Sequence, residues 1–269
     1  IIFFIISGLL FHPDAWQSRD YKINKFKRIC IPWIISAMCV YLYVHLRKPP
    51  LSFWGWLNFT LGNGSYLYYL EILVMLYALF NISVMRKDYI LYSCMGMTLV
   101  SVIFLYDIMP NPYLNLFNWI GYFALGFMLQ KSEKVYLMCH LNRIKWAAIV
   151  AYALLLTVMI SYGNSGNYWS GINPIVSCIG VLACFAFSFS ANEHDDGKVA
   201  KLLIIIGKYS FAIYLWHMPL AGLMTKLFPA YVVLRPFMVL VAIIAAGYFV
   251  TKIFHLIGKQ NLLRYLGIN

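Results

Sequence analysis

Charged side chains are scarce in this chain, and acidic ones most of all. Only 11% of its 269 residues are charged, and nine Asp and Glu stand against 21 Lys and Arg. Soluble domains are about one quarter charged. Because 62% of the residues are hydrophobic, a soluble core could not hide them all from water. The composition therefore excludes an ordinary soluble domain and predicts a protein whose surface largely faces lipid.

The basic residues are also not gathered on one patch, although the net charge is +12. Nucleic-acid-binding domains concentrate Lys and Arg on one face or along one helix. Here the basic residues lie in short segments between apolar runs, which is the pattern that membrane topology produces. The sequence therefore argues against nucleic acid as a partner.

The cysteines are not spaced along the sequence in the way that metal-binding cysteines are. The chain has six cysteines, none in a CxxC pair and most within apolar runs. No Cys/His cluster has the spacing of a zinc site. We therefore expect buried, unreactive thiols and no bound metal.

What the chain does contain is a series of apolar runs close to the roughly 20 residues that cross a bilayer. They predict an all-α polytopic transmembrane helical bundle forming one domain over residues 1–269. The first run is already under way at Ile1, so we expect one missing helix before it and about ten helices in the full protein. The predicted spans are 1–11, 29–46, 65–84, 89–106, 115–130, 145–162, 172–190, 202–222 and 232–254.

The basic residues between the spans predict the orientation. Counted over alternate connections, sixteen basic residues fall on one side and three on the other, and two lie within spans. Basic connections stay in the cytoplasm. The sequence thus predicts a multi-pass protein of the bacterial inner membrane with a cytoplasmic C-terminus.

Glu71 is the one carboxylate well inside a predicted span. A charged carboxylate in hydrocarbon is costly, so we expect its side chain to face the interior of the bundle. One interpretation is a functional group. The other is a hydrogen bond between helices, which polar side chains in membrane bundles often make.

A second polar group comes late in the chain. Ser210, Tyr214 and His217 are spaced i, i+4 and i+7 and so share one helix face. Pro219 is expected to bend or end that helix just after His217. His217 and Glu71 are predicted at similar depths, which is compatible with one shared site. Alternatively, Tyr214 and His217 belong to an interfacial aromatic belt.

Five basic residues cluster before the second span. Lys25 and Arg28 are one turn apart and can share a face, and Lys27 lies between them. Such a cluster could hold a phosphate or pyrophosphate. The alternatives are the topology signal alone, or contact with anionic lipid headgroups.

Several stretches together resemble the integral-membrane acyltransferase family 3, which includes bacterial surface-polysaccharide O-acetyltransferases. The segment YKINKFKRICIPW places Lys25 and Arg28 at the family's RxxR positions. The segment around Tyr68 is a weaker match, with Tyr68 where the family usually has Trp. The matching stretches are FFIISGLLF at 3–11, YKINKFKRICIPW at 21–33, YLYYLEILVMLYAL at 66–79 and GKYSFAIYLWHMPL at 207–220.

The resemblance implies transfer of an acyl group, usually acetyl, from cytoplasmic acyl-CoA to a hydroxyl of a surface or lipid-linked polysaccharide. Acyl-CoA is then a donor substrate, and no tightly bound cofactor is expected. Lys25, Lys27 and Arg28 would hold its phosphates. Glu71 and His217 are the candidate catalytic residues, and Tyr68, Ser210 and Tyr214 would line the path.

The chain also departs from the family's pattern. The family's catalytic His lies in a helix that would precede Ile1, so no residue here is assigned as the base, and the chain as given is expected to be inactive. Lys25 replaces an Arg, which keeps the charge but loses bidentate geometry. The competing interpretation is a transporter or flippase of a lipid-linked sugar, although the paired broken helices typical of transporters are not evident.

Overall fold

Long helices joined by short turns make up the described part of the chain. The computed structural model describes residues 1–45, 51–63, 65–131, 142–161, 173, 176–181, 183, 204–231 and 234–268, and it contains no strand within them. The helices are α1 (Ile2–Leu9), α2 (Arg19–His45), α3 (Phe53–Thr60), α4 (Tyr68–Asn81), α5 (Asp88–Phe104), α6 (Ile120–Lys131), α7 (Asn142–Ser161), α8 (Ser210–Leu227) and α9 (Arg235–Leu256).

Two helices in the described ranges, α2 and α9, are long and apolar enough to cross a membrane by length and composition. At 1.5 Å per residue, the 27 residues of α2 extend about 40 Å. Shorter apolar helices accompany them: α4, α5 and the segment Trp146–Leu155 of α7. The predicted all-α membrane helical bundle is confirmed.

The predicted spans differ from the helices mainly at their ends. α2 begins at Arg19 rather than at 29, because Lys and Arg are good helix formers and polarity does not end a helix. Residues 115–119 precede α6 and form a 3₁₀ turn, Leu116–Asn118. The sequence did not predict α3, whose first turn is capped by the Ser52 side chain, which accepts from Gly55 N at 2.8 Å. The predicted span 172–190 lies largely outside the described residues.

The chain divides into two compact units, and one of the three points where it passes from one to the other lies inside α4, between Glu71 and Ile72. The first unit comprises Ile1–Pro13 and Ile72–Ala200. In it α6 packs between α1 and α5. A buried aromatic core fills it, in which the Phe80 and Phe123 rings lie 4.7 Å apart.

Close helix contact in this first unit depends on glycines. A Cβ on Gly8 would overlap the Phe123 carbonyl, and one on Gly126 would overlap the Ile5 carbonyl. α1 and α6 therefore meet backbone to backbone, as small residues allow in membrane bundles. On the opposite side of α6, the amide of Gly121 donates to Thr98 Oγ1 of α5 at 2.7 Å.

The second unit comprises Asp14–Glu71 and Lys201–Asn269. In it α2 packs on α3, on α8 and on the 3₁₀ segment Gln260–Leu266, and α8 packs on α9. Trp33 Nε1 donates to the Thr60 carbonyl at 3.0 Å, which fixes the end of α3 against α2. All the residues that the sequence singled out as site candidates lie in this unit.

Candidate functional site

α8 continues through Pro219 because a distant side chain compensates for the proline. Pro219 has no N–H, so the carbonyl four residues earlier, on Leu215, loses its helical partner. Tyr66 Oη donates to that carbonyl at 2.6 Å. The helix therefore does not end just after His217 but runs to Leu227, five residues beyond the predicted span 202–222.

A second hydrogen bond returns from α8 to the same segment. Tyr214 Oη donates to the Tyr66 carbonyl at 2.7 Å. The Tyr214 ring packs edge-on against Tyr69 with centroids 5.1 Å apart, and the His217 ring packs against Tyr66 at 5.5 Å. These four side chains, Tyr66, Tyr69, Tyr214 and His217, form what we call the Tyr–His cluster.

The position of the proton on His217 follows from its neighbours. His217 Nδ1 lies 2.7 Å from the Tyr214 carbonyl and 3.2 Å from the Ile213 carbonyl. Carbonyl oxygens only accept, so Nδ1 carries the hydrogen. In the neutral ring Nε2 is then the basic nitrogen, able to accept a proton or a hydrogen bond.

Glu71 lies in the first turn of α4, three residues after Tyr68. Its Oε2 is buried and has no hydrogen-bond partner among the described residues. Buried polar atoms in native proteins nearly always have a partner, because burying one without a partner is costly. Among the described residues, Oε2 therefore makes no hydrogen bond between helices, and Glu71 stays a candidate functional group.

The cationic candidates lie on the first turns of α2. Lys25 is half-buried, whereas Lys27 and Arg28 are exposed. Lys25 and Arg28 are separated by one turn, so their side chains can reach one ligand group. This arrangement presents two cations on one face of the helix, and a third beside them.

The structure brings together some of the predicted residues and leaves others apart. Tyr214 and His217 meet in the Tyr–His cluster, and Tyr68 and Glu71 share one face of α4. Ser210 is the first residue of α8. Within the described part of the chain, no hydrogen bond or ion pair joins Glu71 to His217.

Sequence reasoning missed Tyr66 and Tyr69. Both belong to the run SYLYYLE, which has three tyrosines and one glutamate and in which the pattern predicts a role for Tyr68 and Glu71 only. One signal was available. A proline inside a predicted helix implies an unpaired carbonyl that some donor must satisfy.

A Tyr66→Phe substitution tests this compensation. It should lower the free energy of unfolding by about 1–3 kcal/mol, because the Leu215 carbonyl is left buried without a donor. In a Pro219→Ala background, residue 219 regains an N–H that can pair with the Leu215 carbonyl. Tyr66→Phe should therefore lower the free energy of unfolding much less in that background. The measurement is thermal and denaturant unfolding of the four purified proteins as a double-mutant cycle.

Tyr92→Phe is the matched control, because Tyr92 is 62% exposed and its hydroxyl should contribute little. An equal cost of Tyr66→Phe in both backgrounds would show that the Tyr66 hydroxyl does not replace the missing proline N–H.

Comparison with known proteins identifies the family. The family model described as "Acyltransferase domain", that of acyltransferase family 3, matches residues 1–253. A Bacillus subtilis (strain 168) protein, YfiQ, provisionally named a membrane-bound acyltransferase, is 35% identical over 107 residues, which cover 37% of this chain and 27% of YfiQ. No solved structure matches. With a match over nearly its whole length, and with the membrane bundle that the sequence predicted, the chain belongs to acyltransferase family 3.

Proposed function

We propose that the full protein is a membrane O-acyltransferase that moves an acyl group, in the first instance acetyl, from cytoplasmic acyl-CoA to a polysaccharide hydroxyl. The acceptor is a surface or lipid-linked glycan. The observation that carries the proposal is the buried Oε2 of Glu71, which has no partner among the described residues and lies in the unit that also holds the cations of α2. An ionisable group of this kind in a membrane bundle points to a functional site.

In the proposed site, the cations on α2 would bind the phosphates of the acyl donor, acyl-CoA. Acyl-CoA carries several phosphate charges, and Arg28 and Lys25 can offer charge-assisted hydrogen bonds to one of them. Arg28 provides the planar fork that suits phosphate, and Lys25 provides a point charge. Lys27 adds to the positive potential at the mouth of the site.

The reaction itself needs a base and a polar route. The acceptor hydroxyl oxygen attacks the thioester carbonyl carbon, the C–O bond forms, the C–S bond breaks, and the hydroxyl proton passes to a base while CoA leaves as its thiolate. Glu71 would orient the base or move the proton, and His217 Nε2, with Tyr68, Ser210 and Tyr214, would line the route. The protein would cross the bacterial inner membrane several times with its C-terminus in the cytoplasm.

The acyl content of the surface polysaccharide tests the proposal. Strains with and without the full-length gene should differ in ester-linked acyl groups, and purified full-length protein in proteoliposomes should consume acetyl-CoA only with acceptor present. A transporter of a lipid-linked sugar would change the amount of surface glycan without changing its acyl groups per sugar. That result would refute the acyltransferase proposal.

Glu71→Gln should lower turnover at least tenfold, about 1.4 kcal/mol of barrier, because the amide cannot move a proton. The assay is the transfer rate at saturating acetyl-CoA. Asp88→Asn makes the same chemical change at a carboxylate whose side chain is 75% exposed, and it should leave the rate unchanged. A Glu71→Gln variant that turns over at the wild-type rate would leave this residue with a packing role only.

A further inference from the structure

An apolar cavity lies within the second unit, and none of the candidate catalytic or phosphate-binding side chains is among its described lining residues. Its volume is about 330 Å³, and α2, α8, α9 and the C-terminal 3₁₀ segment contribute its walls. The floor is made by buried side chains, with Leu215 1% and Ile243 4% exposed. The mouth is formed by exposed residues, Ile35 on α2 and Ala246 on α9. The cavity is therefore a slot that deepens from the surface toward the core.

The end of the chain closes one side of this slot. Gly267 has φ +77°, a left-handed conformation that other residues adopt only with strain, and it lies against Phe211 and Leu215. This turn brings Leu266 and Ile268 into the wall of the cavity, and Ile268 is only 5% exposed. The slot is thus built by four separate segments and is not a gap between two neighbouring helices.

The surroundings of the mouth indicate what enters it. α2 and α9, which flank it, are the two helices in the described ranges that are long and apolar enough to cross a membrane. Both carry exposed apolar side chains beside the lining residues: Met38 on α2 is 47% exposed, and Phe249 on α9 is 66% exposed. The mouth is therefore continuous with the surface that these helices present to bilayer hydrocarbon.

The chemistry and the size of the slot then select one occupant. The lining residues that the structure describes are all uncharged, and an apolar cavity does not retain water. A volume of about 330 Å³ lies at the lower end of the roughly 300–1,000 Å³ found for small-molecule pockets. A cavity of this size and apolar lining suits a single flexible hydrocarbon chain.

We propose that this slot binds one fatty-acyl chain of a membrane phospholipid, which completes the packing of the C-terminal segment against α2, α8 and α9. The chain enters between Ile35 and Ala246 and ends against Leu215 and Ile243. Because the contacts are to the hydrocarbon, phosphatidylethanolamine and phosphatidylglycerol with the same chains should bind equally well. The site is separate from acyl transfer and stands whether or not that proposed function holds.

Ala246→Trp tests the site by blocking its mouth. Native mass spectrometry and lipid extraction of the full-length protein, purified in a mild detergent, should find about one retained phospholipid per wild-type chain and at least tenfold less on the variant. Ala245→Trp is the matched control, since Ala245 is the adjacent exposed residue of α9 and does not line the slot. It should retain lipid like the wild type.

A second measurement covers the case in which the tryptophan variant does not fold. A phospholipid with twelve-carbon chains should raise the Tm of the delipidated wild-type protein more than a phospholipid with six-carbon chains does. In the Ala246→Leu variant, the difference between the two lipids should be smaller. Equal lipid retention by the two tryptophan variants would overturn the proposal, as would a wild-type protein without retained lipid. Displacement of the lipid by long-chain acyl-CoA would also overturn it, by assigning the slot to the donor's chain.

Discussion

Arg28→Ala should abolish acyl transfer by the full-length protein while leaving its insertion in the membrane intact. Arg28 is exposed on α2, one turn from half-buried Lys25. A guanidinium can donate two parallel hydrogen bonds to a phosphate, and bonds to charged groups are each worth about 1.5–3 kcal/mol. Losing them should lower kcat/KM for acyl-CoA by at least 100-fold, about 2.7 kcal/mol. Acyl groups on the surface polysaccharide should then fall below detection.

The kinetic pattern separates a donor-binding role from a general effect of charge. If Arg28 holds a phosphate of acyl-CoA, its loss raises the KM for the donor and leaves the KM for the acceptor unchanged. Arg28→Lys retains the charge without the fork, so it should recover part of the activity. The KM of the wild type for acyl-CoA should also rise with added salt, because exposed charges are screened.

Lys252→Ala is the control for two alternative roles of the basic residues, namely orienting the protein in the membrane and binding lipid headgroups. Lys252 is an exposed cation in the same unit, stacked over the Tyr248 ring on α9. If the basic residues served only to orient the protein or to bind anionic lipid, both variants should behave alike. Normal acyl content in the Arg28→Ala strain, with the protein present in the membrane, would remove the phosphate-binding role.

The sequence predicted the class of fold because hydropathy acts over whole segments. Apolar runs identify helices that lipid must solvate, and α4, α5 and α9 each begin and end within a few residues of their predicted spans. Capping and turn geometry are local and weak, so α3 was missed. Eight residues are too few for a span, and only the Ser52 cap marks its start.

The candidate site was predicted less completely, because its contacts join segments far apart in the chain. His217 and Tyr214 were found from their helical spacing. Their partner Tyr66 is 149 residues from the Leu215 carbonyl that it satisfies, and no periodicity carries that information. The same contact explains why α8 passes through Pro219. The proline rule concerns one residue in one helix, and it takes no account of a donor that tertiary structure brings to the unpaired carbonyl.

Gly126→Ala should strongly destabilise the first unit, because it places a methyl group where two helix backbones meet. The new Cβ would overlap the Ile5 carbonyl and lie 2.9 Å from Leu9 N. Backbone atoms cannot rotate away as side chains can, so α1 and α6 must separate, and the Phe4–Trp119 contact at 5.2 Å would weaken. Overpacking costs about 1–3 kcal/mol, and a clash with backbone belongs at or above the upper end.

The matched control for that substitution is Gly96→Ala on α5, where an added Cβ meets no atom within 4 Å. Alanine is the better helix former by about 1 kcal/mol, so this variant should be neutral or slightly more stable. Gly8→Ala affects the same contact between α1 and α6, because its Cβ would overlap the Phe123 carbonyl. The Gly8→Ala/Gly126→Ala double variant should therefore lose less stability than the sum of the two single losses. Thermal unfolding of the wild type and these four variants in one detergent measures all these differences. Equal Tm values for the Gly126→Ala and Gly96→Ala variants would mean that α1 and α6 are not in backbone contact, because only that contact distinguishes the two sites.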